Sequence, residues 1–190
     1  MQSVLTDSLE KVLGPSAPRP AALIGGAHAS GFLGEVLSVQ VALRLEPGEN
    51  PGPVHLHLGG PLAHRAAAHA VRRVPVSHPA PEDADEHYLV TAPGEYPDLL
   101  EPLGGEEVRV GRGLWEALWI DVIDAPPGEH TLTLALTDTT GEQVLAEHAV
   151  QLRVHPHQLP PLSITNTHWF HADSLSTYYD VEVQIGRAHV

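Results

Sequence analysis

The chain has 190 residues, with 18 prolines, 17 glycines and no cysteine, and 24 acidic against 10 basic side chains give it a net charge of −14. That much punctuation excludes a helical bundle, and the missing thiols exclude disulfides, thiol catalysis and thiolate metal sites. The acidity argues against nucleic-acid or anionic-membrane partners, whose phosphates need a basic surface.

In chain order, no basic region ahead of an apolar run opens the sequence. No stretch of about 18 apolar residues follows, so the expected setting is cytoplasmic and without a membrane span. "SLEKVL", Ser8 to Leu13, suits a turn of helix. In "VLSVQVALRL" Leu37, Val39, Val41, Leu43 and Leu45 alternate with Ser38, Gln40 and Arg44, which predicts a strand with one buried and one wet face. "VHLHL" repeats the pattern, with Val54, Leu56 and Leu58 opposed to His55 and His57. "PLAHRAAAHAV" reads as a short helix on the strength of its alanines. "GLWEALWIDV" is apolar on both parities, as a central strand is. "TLTLALT" and "VLAEHAVQLRV" alternate again and flank "DTTG", the signature of a hairpin.

One amphipathic sheet cannot hide its own apolar face, whereas two stacked sheets can. The expected fold is therefore all-β, a two-layer antiparallel sandwich of immunoglobulin-like or jelly-roll type. Proline-rich "HPHQLPPL", His155 to Leu162, breaks the pattern and marks a boundary near residue 157. The expected sandwich covers residues 1–156.

Four groups carry candidate chemistry. His55 and His57 form an HxH pair of the kind that shares a metal, but no glutamate follows at cupin spacing, so the expectation is a solvated strand face and no metal. Trp115 and Trp119 share a parity, either as core or as a stacking platform for sugar rings. Asp98, Glu101, Glu106 and Glu107 form an acidic patch, which reads as a solvated loop rather than the paired carboxylates of a glycosidase. Finally "WFHADSL", with His171 and Asp173, follows a β-prone run. Pattern alone leaves two readings open there, a polar loop or the C-terminal rim of a (β/α)8 barrel. No P-loop, GxSxG, HExxH or dinucleotide fingerprint occurs, and no cofactor is expected.

Six segments occur in an order that matters: "SLEKVL", "GEVLSVQVALR" at 34–44, "VRRVPV" at 71–76, "YLVTAPGEYPDLLEPL" at 88–103, "GLWEALWIDVIDAPPGEHTLTLAL" at 113–136 and "THWFHADSLSTYYDVEV" at 167–183. Together they resemble the bacterial family called domain of unknown function 4091, related to the β-N-acetylgalactosaminidases of glycoside hydrolase family 123. The resemblance runs to about Gln184 and is most specific in its last segment. It implies a non-catalytic N-terminal sandwich followed by a (β/α)8 catalytic barrel, of which residues 157–184 are the linker and first strand. The parent enzyme is then expected to act on N-acetylhexosamine-type glycans.

No position matches the catalytic acidic pair of those enzymes, so no catalytic residue is carried over. Trp169, His171 and Asp173 are expected to line the sugar pocket; Ser174 stands where many members have cysteine. The implied partner is the missing barrel, with glycan as ligand, and the fragment by itself is expected to be inactive. "IGRAHV", residues 185–190, departs from the family and resembles a translated sequencing adapter. The alternative reading is a free-standing carbohydrate-binding sandwich.

Overall fold

The computed structural model describes residues 1–13, 19–23, 28–50, 52–77, 88–105, 107–108, 110–160 and 177–180. The chain divides into two units, Met1–Leu159 and Pro160–Val190. In the second, residues 177–179 form one helical turn, with the rings of Tyr178 and Tyr179 edge to face at 4.9 Å. The expected first barrel strand, and with it Trp169, His171, Asp173 and Ser174, lies outside the described residues, as does the 185–190 tail.

The first unit is all-β. Its strands are β1 (Gln2–Asp7), β2 (His28–Leu33), β3 (Leu37–Arg44), β4 (Val54–Gly59), β5 (Ala66–Val76), β6 (Gly94–Pro102), β7 (Glu107–Val108), β8 (Glu116–Val122), β9 (Gly128–Asp138) and β10 (Val144–Gln158). They make two five-stranded sheets, ordered β1-β3-β8-β5-β6 and β2-β10-β9-β4-β7. The predicted alternation builds the core between them. Leu37, Val39, Val41 and Leu43 of β3 and Leu118, Ile120 and Val122 of β8 face Val54 and Leu56 of β4, Leu132, Leu134 and Leu136 of β9, and Val150, Leu152 and Val154 of β10. Each fully buried aliphatic contributes about 1.5–3 kcal/mol before entropy is subtracted.

The β9–β10 hairpin forms where "DTTG" predicts it. The Asp138 carboxylate accepts from Thr140 Oγ1 at 2.9 Å and from the Gln143 N–H at 3.2 Å. Gly141, at φ 73°, closes the turn in a conformation that side chains resist. The Gln143 N–H, followed by the Thr140 hydroxyl and the Gly141 and Glu142 N–H groups, holds the Asp138 pKa below the usual carboxylate value, against a small opposing effect of burial.

Four expectations are corrected. The sandwich is not wholly antiparallel, because β2 runs parallel to β10 along one edge. The alanine-rich segment is not a helix. It makes a 3₁₀ turn, Ala63–Arg65, and then strand β5, pinned between β8 and β6. Pairing on both sides overrides alanine's helical preference. "SLEKVL" is a turn instead of a helix, because the Asp7 carboxylate accepts the N–H groups of Leu9 and Glu10 at 2.8 and 2.9 Å and arrests the chain there. Strand β10 continues past residue 156 to Gln158. Pro156 is tolerated because β10 has lost β9 as a neighbour beyond Val154 and pairs irregularly with β2.

The outer face of the first sheet also departs from the simple pattern. A second cluster of Val4, Val12, Ala42, Trp115 and Ala117, with Val71 against it, covers the side of β3 expected to be wet. Gln40 is therefore only 4% exposed. Its amide nitrogen donates to the carbonyls of Asp7 and Glu10 at 2.9 and 3.0 Å, which ties the segment after β1 down over the sheet.

Candidate functional site

Sheet register assembles the most structured polar group of the molecule on this outer face. Gln40 of β3, Trp119 of β8 and His69 of β5 stand side by side, and Ser38, Asp121 and Ala67 form the next row. Asp121 Oδ1 accepts both the Ser38 hydroxyl and the Trp119 indole N–H, each at 2.6 Å. Asp121 Oδ2 lies 4.0 Å from His69 Nδ1, a buried nitrogen with no hydrogen-bond partner. Ser38, Asp121 and His69 do not make a nucleophilic triad. That chemistry needs the serine bonded to the imidazole, whereas here the carboxylate takes the hydroxyl proton's bond. The group instead fixes the plane of the Trp119 ring.

Next to Trp119 is a niche of about 180 Å³. Its walls come from β8 (Trp119), β5 (Val71), β6 (Pro97, Asp98, Leu100) and the segment Ser8–Val12, with Gln40 at the base. Trp115 takes no part in it. That ring is 1% exposed, packed in the second cluster with the Arg44 guanidinium 5.9 Å from its centroid. The paired-tryptophan platform is thus reduced to one half-buried ring.

The acidic patch is not a loop and does not converge. Asp98 and Glu101 lie on β6 and Glu107 on β7, while Glu106 is outside the described residues. Asp98 faces the Trp119 niche. Glu101 and Glu107, joined by Glu95 and Glu116, line a separate cleft of about 630 Å³ at the open end of the sandwich. There Glu101 pairs with Arg72, with both side chains about half exposed, so solvent screens the pair heavily.

The HxH pair sits on the second sheet. The rings of His55 and His57 are 6.3 Å apart and roughly perpendicular, and His57 Nε2 is 3.1 Å from Thr137 Oγ1. Among the described residues no three His, Asp or Glu side chains lie close enough to hold a metal ion. No helix among them is long and apolar enough to cross a membrane.

Sequence reasoning named Trp119 and Asp98 but missed Gln40, Ser38, His69 and Asp121 as neighbours of one site. The only signal was their outward parity on three different strands, and the register that aligns them is long-range. Neither a family model nor a curated protein matches the chain. Among solved structures it is similar to the N-terminal domain of PorA, at 10% identity over 80% of this chain and 97% of that one, with a TM-score of 0.32. That likeness carries no functional argument.

Proposed function

We propose that residues 1–156 are the non-catalytic N-terminal sandwich of a glycoside hydrolase-like protein. In this reading the sandwich is of immunoglobulin-like or jelly-roll type. Residues 157–184 are the linker and first strand of a (β/α)8 barrel whose sugar pocket uses Trp169, His171 and Asp173. The parent acts on N-acetylhexosamine-type glycans in the cytoplasm, and the sandwich hydrolyses nothing by itself. Its partner is the barrel, and neither nucleic acid nor a membrane is involved.

The observation that carries the reading is the division at Leu159 and Pro160. Ten strands close over their own core before it, and the segment with the most specific family resemblance comes after it. The other resembling segments coincide with β3, β5, β6, β8 and β9, so the resemblance follows the frame of the sandwich. Exposed Tyr88, Leu89, Val90 and Val76 border an apolar hollow of about 400 Å³, the kind of surface an accessory domain needs where it braces a neighbour.

The test is the genomic sequence downstream of Val183, followed by assay of its product on p-nitrophenyl N-acetyl-β-D-galactosaminide. An open frame with further βα units and an adjacent acidic pair, active where the 190-residue chain is not, supports the reading. A stop codon directly after this segment in clean genomic DNA overturns it.

A further inference from the structure

We propose that the niche beside Trp119 is a binding site for a single neutral pyranose ring. The inference does not rest on the accessory-domain reading and applies equally to a free-standing sandwich.

Three observations carry it. The aromatic wall is preorganised, because the Trp119 N–H is held by Asp121, which is itself held by Ser38. A ring fixed before binding loses no rotamer freedom when a sugar stacks on it. The base of the niche is a buried amide with one end unspent. Both N–H bonds of Gln40 go to the Asp7 and Glu10 carbonyls, and its oxygen has no hydrogen-bond partner in the structure. That oxygen is an acceptor of fixed direction. The remaining lining is apolar at Val71, Pro97 and Leu100 and acidic at Asp98 and Glu10. Glu10 Oε1 already accepts the Ala21 N–H at 3.1 Å, which leaves its other oxygen for a ligand.

Size and charge then select the ligand. About 180 Å³ is well below the roughly 300–1,000 Å³ of drug-sized sites and suits one sugar ring. Acceptors outnumber donors, since Gln40, Asp98 and Glu10 face only Lys11 and Ser8. Hydroxyl groups supply the missing donors. A uronic acid brings a carboxylate to two carboxylates on a chain of net charge −14 and is repelled. The matching class is therefore a neutral hexopyranose or N-acetylhexosamine.

The experiment follows the tryptophan indole N–H signals of the ¹⁵N-labelled 190-residue chain during titration with methyl β-D-galactopyranoside, N-acetyl-D-galactosamine, methyl β-D-glucopyranoside and D-glucuronate. The Trp119 signal should move with at least one neutral sugar and the Trp115 signal should stay, with a dissociation constant on the order of 1 mM, as expected for a ligand of about a dozen non-hydrogen atoms. Glucuronate should bind at least about tenfold more weakly. Trp119→Ala should abolish binding. Asp98→Lys changes an exposed rim position, keeps the fold and should also abolish it, so the test survives if the tryptophan variant does not fold. The proposal is overturned if no neutral sugar moves the Trp119 signal, if glucuronate binds as well as the neutral sugars, or if Asp98→Lys leaves binding intact.

Discussion

Trp119 and Asp121, two residues apart on β8, are locked together by an indole N–H donated to Oδ1 at 2.6 Å. Side chains two apart on a strand share a face, so this bond runs along the strand and braces no neighbouring strand by itself. The brace comes from Ser38 on β3, which bonds the same oxygen. Asp121→Ala should therefore cost about 1–3 kcal/mol and free the indole. Asp121→Asn, which keeps an acceptor oxygen, should recover most of that loss. Urea unfolding measures the first quantity, and a red shift of tryptophan emission in the alanine variant alone reports the second.

Gln40 ties the segment after β1 to the sheet through two carbonyls. Gln40→Ala leaves the Asp7 and Glu10 carbonyls without those donors and opens the second cluster beside Val12. A loss of about 1–3 kcal/mol is expected. Local opening of the tied segment should exceed the global effect, because few other contacts hold it. Limited trypsin digestion checks this: cleavage after Lys11 should become much faster in the variant, while cleavage after Arg153 within β10 should not.

Which features were readable before any coordinates follows from the range of the interactions involved. Strands β3, β4, β9 and β10 could be placed because a period of two is a local signal. The "DTTG" hairpin could be placed because its turn chemistry lies within four residues. The alanines of β5 pointed to a helix because their neighbours β6 and β8 are tens of residues away. Gln40 looked wet for the same reason, since what covers it is Val12, Val4 and the Asp7 and Glu10 carbonyls. Trp115 and Trp119 do share a face, but parity could not say that only Trp115 would be sealed under Arg44 and the second cluster. The niche draws on β3, β5, β6, β8 and the segment after β1, and no spacing within any of them encodes it.

His148 of β10 links the sheets at one edge, with its Nε2 2.9 Å from the Ser3 hydroxyl of β1. Burial lowers its pKa from the ordinary 6.5 by penalising the imidazolium. The folded chain thus prefers the neutral ring, and below pH 6.5 the unfolded chain binds the proton more readily. The stability this group contributes is complete above 6.5 and is lost as pH falls through the lowered folded value. Urea midpoints should drop between pH 7.5 and pH 5 more steeply in the wild type than in His148→Gln. Above the ordinary carboxylate range Asp138 keeps its own contribution through this window, since its pKa is also held low and its loss belongs to more acidic pH. A histidine titration followed by NMR should place the His148 midpoint below those of the other histidines.

Leu134 and Leu99 test where the core ends. Leu134, on β9, is 1% exposed and packs between the two sheets, whereas Leu99, on the edge strand β6, is 55% exposed. Truncating Leu134 to alanine removes buried methyl groups and leaves a cavity that paired strands on both sides cannot collapse into, at a cost of about 2–5 kcal/mol. The same change at Leu99 leaves no cavity and should fall within about 0.5 kcal/mol of the parent. Chemical unfolding of both variants gives the comparison. Equal losses at the two positions would show that β6 is packed against something in solution and that its exposed face is part of an interface.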